Sequence, residues 1–257
     1  MPALFYGAII SWCLAGAMWW WASRGGKNRA LIPGIGLELL GNLLWLAVLV
    51  NFSLKARYWP FSTPEEFLLI TLEFAAFTHL IAEIKAERKG TGWMAPFTIA
   101  LLALGGRGTL TAEIFPPPPA FSSIWFQLHT LTASAAYGAF LVAGATSLGT
   151  IFRPDQKPQG LVGEMALGYI GLTLSMLTGA LWSQFTWGNY WSWGLKEIWT
   201  LTLWLMAALY FHTRSLPWWE GQKTWILVTL IMVIMLFSLL GMDWLARRLT
   251  LETLYIF

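Results

Sequence analysis

Charge is scarce in this chain. Its 16 Lys and Arg and 13 Asp and Glu amount to 11% of 257 residues, while 57% are hydrophobic. A soluble domain carries about a quarter charged residues, so this balance excludes a water-soluble globule and calls for lipid as solvent. Cysteine occurs once, as Cys13. That excludes a disulfide framework, a CxxC redox pair and a CxxCH haem attachment site. No Ser/His/Asp or Cys/His set, H-E-x-x-H or P-loop is present, so hydrolase and ATPase chemistry has no support. The net charge of +3 does not argue for nucleic acid, because the basic residues fall in short connections. The first residues lack a charged leader and an A-x-A cleavage site, so the first apolar stretch is expected to be retained.

What the chain has is apolar runs. Stretches at roughly 3–22, 31–53, 65–84, 93–106, 127–151, 163–184, 197–213 and 223–241 predict an all-α, polytopic membrane bundle of about eight helices in a single domain spanning 1–257. The fourth is short and is expected to extend towards Leu110 or to be re-entrant. One set of connections carries Arg24, Lys27, Arg29, Lys85, Arg88, Lys89, Arg153, Lys157, Arg214 and Lys223. The other carries only Lys55, Arg57, Arg107, Lys196, Arg247 and Arg248. By the positive-inside rule the first set faces the cytoplasm, placing both termini on the extracytoplasmic side of the cell inner membrane.

Two outer connections stand out. The loop 107–126 contains Pro116 to Pro119, which favours stiff polyproline II backbone. The segment 185–196 packs Trp187, Tyr190, Trp191 and Trp193 into the seven residues 187–193, among Gly188 and Gly194. The chain has eighteen Trp, and an interfacial belt would scatter them rather than cluster them here.

Only three histidines exist. His79 lies six residues before Lys85, about 9 Å along a helix, and His212 lies two residues before Arg214. Similar depth on two helices is the arrangement in which a bundle ligates a metal or b-type haem; it equally suits two polar residues satisfied by neighbouring helices. His129 opens the fifth stretch beside the Pro-rich loop. An imidazole beside an aromatic shelf suits haem, whose faces need stacking surface and whose iron needs nitrogen; a helix-end contact with headgroups is the plainer alternative. Among the carboxylates, Glu65 and Glu66 follow Pro64 and are expected to cap a helix. Glu73 is mid-span and is expected to be protonated, paired or on a proton path. Glu83 is expected to be solvated or paired with Lys85 or Arg88. Glu113 and Glu197 have no role legible from spacing.

The stretch Trp187 to Arg214, WGNYWSWGLKEIWTLTLWLMAALYFHTR, resembles the Trp-rich "WWD" signature of the CcsA/ResC family of haem-handling membrane proteins in cytochrome c biogenesis, which the related CcmC and CcmF proteins share. Pro64-Glu65-Glu66, Ala95-Pro96 and His129 look like further family features, and the resemblance covers about residues 55–241. It implies haem held on the outer face by Trp187, Tyr190, Trp191 and Trp193 with His129 as first outer histidine, and His212 as the membrane histidine. Helix depth adds His79 as a possible second inner ligand. Gly194 stands where the family has the motif aspartate, and Leu195 where a proline usually follows. The second outer histidine expected after the last stretch is absent; Leu239 to Trp244 occupy that place, with Met242 as a thioether there.

Three functions follow as expectations. The first is haem presentation or ligation to an extracytoplasmic c-type apocytochrome, alongside other membrane subunits. The second is a b-haem electron-transfer subunit with haem iron between His79 and His212, drawing on quinone with Glu73 taking its proton. The third is a haem-free assembly subunit.

Overall fold

The computed structural model describes residues 1–85, 92–110, 116–153, 161–219 and 221–242, without the side chains of 25–29 and 217. These residues form eight α-helices: α1 (Pro2–Trp21), α2 (Lys27–Ala56), α3 (Pro64–Lys85), α4 (Met94–Gly105), α5 (Ile124–Phe152), α6 (Leu161–Trp187), α7 (Leu195–Thr213) and α8 (Gln222–Leu236). The all-α bundle agrees with the apolar pattern. Six helices are long and apolar enough to cross a membrane: α1, α2, α3, α5, α6 and α8 with its π-helical extension to Gly241. The twelve residues of α4 reach only about 18 Å, so it is the short element that its sequence suggested. In α7, nineteen residues long, Thr200, Thr202 and two indoles interrupt the apolar run, and it lies against α6 and α8.

Successive helices alternate in direction. Lys55 Nζ lies 4.0 Å from Met1 Sδ at one end of the bundle, and the Arg107 guanidinium sits over the Tyr6 ring there. At the opposite end Arg153 Nη1 donates to Ser23 Oγ at 3.1 Å. Met1 and Met242 therefore share one end, called here the Met1 end; Arg24, Lys85, Arg153, Arg214 and Lys223 gather at the other, the Lys85 end.

The centre is α5, which packs on α3, α4, α6 and α8. Its residues 133–149 are mostly Ala, Gly, Ser and Thr, and small side chains let helices approach where lipid offers no hydrophobic drive to associate. At Gly138 a Cβ would meet the Ala75 amide nitrogen at 2.7 Å, and at Gly144 it would collide with Met232. The two N-terminal helices form a hairpin stitched by indoles: Trp12 Nε1 donates to Asn42 Oδ1 at 2.8 Å and Trp19 Nε1 to Glu38 Oε2 at 2.7 Å. Trp45 Nε1 donates to the Leu69 carbonyl at 2.9 Å and pins α2 to α3. The start of α3 is capped as its sequence suggested, with Glu66 N–H on Thr63 Oγ1 and the Glu66 carboxylate accepting from Ser62 N and Tyr58 OH. Pro118 has the φ −54, ψ 145 of polyproline II before a short 3-10 turn begins.

Candidate functional site

At the Met1 end α5 begins at Ser123, whose hydroxyl accepts the Trp125 amide. One and a half turns later His129 faces α6. Its Nδ1 lies 2.8 Å from the Ser175 carbonyl oxygen and 3.0 Å from Ser175 Oγ, while that hydroxyl donates to the His129 carbonyl. A carbonyl only accepts, so Nδ1 carries the proton and Nε2 carries the lone pair. Nε2 makes no hydrogen bond to a described residue, and the side chain is half-buried. This is how proteins orient a metal-ligating imidazole: the far nitrogen is anchored to a carbonyl and the near one is left free.

Aromatic rings surround it. The His129 ring is stacked with Trp182 at 6.3 Å and 16°. Trp182 meets Trp187 at 4.5 Å and Phe126 at 4.8 Å, and its indole nitrogen donates to the Ala120 carbonyl. Phe121 stacks on Phe126 at 4.3 Å. The Pro-rich loop thus delivers Ala120 and Phe121 as one wall of the site.

The α6–α7 connection holds the remaining aromatics. Gly188 and Trp193 adopt left-handed φ of 78° and 59°, which fold the chain back between the two helices. Trp191 and Trp193 meet edge to face at 5.9 Å, and the Trp191 indole nitrogen is buried without a partner. Tyr190 and Trp193 stand 59% and 67% exposed, a high exposure for rings this size. Glu197 Oε2 accepts from Ser192 N, Ser192 Oγ and Gly194 N at 2.9, 3.1 and 3.0 Å. The carboxylate at this turn comes from Glu197, and Gly194 supplies only its backbone donor, so the turn is tied to the start of α7.

Trp187 joins His129 through Trp182; Tyr190, Trp191 and Trp193 lie on the adjoining connection. The inner histidine pair is not formed. His79 is fully buried, with Nδ1 2.6 Å from Glu38 Oε1, Nε2 3.6 Å from Glu83 Oε1 and Trp19 at its edge. His212 is exposed at the Lys85 end of α7, whose packing partners are α6 and α8. Equal depth sets one coordinate only, and the two histidines project from different sides of the bundle. Glu83 faces His79 and the Gly92 N–H rather than solvent. Arg88 and Glu113 lie outside the described residues, and Met242 is fully buried. Two participants were not anticipated: Glu38 and Trp182. Glu38 carried a signal, as the lone carboxylate inside the apolar stretch 31–53; Trp182 carried none.

Among the described residues no group of three His, Cys, Asp or Glu side chains is arranged to hold a bare metal ion. Haem does not need one, because its macrocycle supplies four nitrogens and the protein supplies axial ligation and flat apolar walls. A free Nε2 beside stacked indoles fits that demand.

A family profile described as "Cytochrome C assembly protein" matches residues 5–250. The chain is 28% identical over 233 residues to the Cytochrome c biogenesis protein CcsA of Chlamydomonas reinhardtii, covering 82% of this chain and 65% of that protein. It is 25% identical over 292 residues to the CcsA of Parasynechococcus marenigrum, covering 95% and 93% respectively, and 27% identical over 300 residues to that of Microcystis aeruginosa, covering 90% of each. The chain thus spans just under two thirds of the algal relative and nearly the whole of the cyanobacterial ones. With a single profile running through all the described helices, this multi-pass membrane chain belongs to the cytochrome c assembly protein family.

Proposed function

We propose that this chain handles haem during the maturation of c-type cytochromes, holding the iron through His129 Nε2 and the macrocycle against Trp182 and Trp187. The observation that carries this reading is the fixed tautomer of His129, with its proton on the Ser175 carbonyl and its lone pair free. Bound non-covalently as b-type haem, the group supplies an iron for axial ligation and vinyl carbons able to take up cysteine thiols. The protein's part is positioning: Ser175 and Gly179 hold the imidazole, and Trp182 and Trp187 exclude water from one face. The exposed Tyr190 and Trp193, beside Trp191, offer aromatic surface to an apocytochrome arriving at the Met1 end. Charge supports that orientation, because the basic residues of the described connections concentrate at the Lys85 end, the end the positive-inside rule assigns to the cytoplasm. Other membrane subunits of the maturation machinery are the expected partners within the bilayer.

The electron-transfer reading needs iron between His79 and His212, with quinone beside it; it is less favoured because His79 is buried against Glu38 and Glu83 while His212 is exposed on α7. The test is the reduced-minus-oxidised spectrum and pyridine haemochrome content of the purified protein as wild type and as His79→Ala, His129→Ala and His212→Ala. Haem lost with His129 supports the proposal. Haem retained in His129→Ala overturns it, and absence of haem from every preparation after supplementation leaves a haem-free assembly role.

A further inference from the structure

A second set of buried polar side chains lies away from His129, inside α1–α3. Glu38, Asn42, Glu73, His79 and Glu83 are between 0% and 8% exposed. Among the described residues no lysine or arginine is buried to offset their carboxylates. Such groups are costly within a bilayer, and each needs a partner.

They form a ladder. At its lower end the Gly92 N–H donates to Glu83 Oε1 at 3.0 Å, and Glu83 Oε1 lies 3.6 Å from His79 Nε2. The other nitrogen of His79 meets Glu38 Oε1 at 2.6 Å, and Glu38 Oε2 accepts from Trp19. Asn42 follows one turn along α2, its oxygen held by Trp12 and its Nδ2 without a partner. The Trp45–Leu69 bond sets the register of the antiparallel α2 and α3. One turn from that pin towards the Lys85 end lie Asn42 on α2 and Glu73 on α3. Both oxygens of Glu73 are buried and lack partners. Three orphaned polar atoms at one depth are the circumstance in which buried water is held. Towards the Met1 end the route is closed, since Trp45 packs against Trp12 at 5.3 Å and Phe5 at 5.6 Å.

We infer that Glu83, His79, Glu38 and Asn42 form a water-assisted proton path, entered beside Gly92 and ending blind at Glu73. A proton from the aqueous phase reaches Glu83 and passes to His79 Nε2, while the Nδ1 proton moves to Glu38 Oε1. Water at Asn42 then relays it to Glu73, so one proton leaves the aqueous phase and one carboxylate becomes a carboxylic acid. Discharge retraces the route, which returns His79 to its starting tautomer. The titratable groups of the path belong to α2 and α3; α1 contributes the Trp12 and Trp19 indoles to it, and the Tyr137 hydroxyl of α5 is turned to Ser238. Gly92 is buried against this end of the path, where a Cβ would stand 2.5 Å from Glu83 Oε1 and 2.7 Å from His79 Nε2.

The test is infrared spectroscopy of the whole chain in lipid nanodiscs transferred from H2O to D2O. Wild type is expected to show a carboxylic C=O band that is missing from Glu73→Gln and that shifts promptly on deuteration. In Glu83→Gln and in Gly92→Ala the shift is expected to be about tenfold slower, and in Glu66→Gln, at the other end of α3, unchanged. The two blocks act at different atoms, so one suffices if the other does not fold. Absence of a Glu73-dependent band, or wild-type exchange in either block, overturns the path.

Discussion

Gly179 lies against the His129 imidazole so closely that a Cβ there would stand 2.6 Å from Nδ1. The hydrogen bond from Nδ1 to the Ser175 carbonyl therefore depends on a residue with no side chain on the neighbouring helix. Gly179→Ala is expected to turn the ring off its anchor and reduce haem content to the level of His129→Ala. The fold should lose about 1–3 kcal/mol from overpacking. Haemochrome assay and melting curves on the same samples read both, and wild-type haem content would show that the anchored tautomer is dispensable.

The Glu38–His79 pair binds α2 to α3 through two buried side chains. Glu38→Ala leaves the imidazole and the Trp19 indole without their acceptor, at a cost of about 3–5 kcal/mol. Trp19→Phe removes a single hydrogen bond and should cost about 1–2 kcal/mol. Thermal unfolding in detergent is expected to rank the two in that order.

Glu197 gathers three donors from the turn that displays Trp193. Glu197→Ala is expected to weaken the start of α7 by about 1 kcal/mol and to speed amide hydrogen exchange across residues 188–196, leaving α5 and α6 as they were. Exchange confined to wild-type rates in that segment would assign the turn's shape to Gly188 and Trp193 alone.

Burial, and then the hydrogen bond to Glu66, hold the Tyr58 phenol up to about 12 from an ordinary 10.0. The folded state keeps a proton that the unfolded chain gives up first. The resulting stability is fully present below about pH 10 and is lost as pH rises through about 12. Ultraviolet titration of wild type minus Tyr58→Phe should show a phenol ionising late, and the variant should lose less stability across that window.

Two glycines should respond oppositely to alanine. A Cβ at Gly138 strikes the backbone of α3, whereas at Gly36 it meets nothing within 4 Å. Gly138→Ala is expected to lower the unfolding midpoint, and Gly36→Ala to leave it or raise it by up to about 1 kcal/mol of helix propensity.

Legibility differed from residue to residue. The helix bounds came close because apolar length is a local property: the stretch 65–84 became Pro64–Lys85, and 197–213 became Leu195–Thr213. Of the two expected capping residues Glu65 and Glu66, Glu66 takes that role, and its signal was equally local. The family resemblance met a profile match over almost the whole chain. Spacing alone could not decide whether His79 and His212 face each other, because it gives height along a helix and says nothing of the direction a side chain takes around it.

By itself, then, the amino-acid order determined that the chain lives in lipid, where its helices begin and end, and which family it belongs to, since each rests on runs of neighbouring residues. The tertiary structure alone decided that Glu38 receives His79 across 41 residues, that Trp182 stacks on His129, and that His212 faces outward. Those outcomes depend on how helices rotate to bring small residues together, as α5 does at Gly138 and Gly144, and that rotation is set by close packing of the whole bundle.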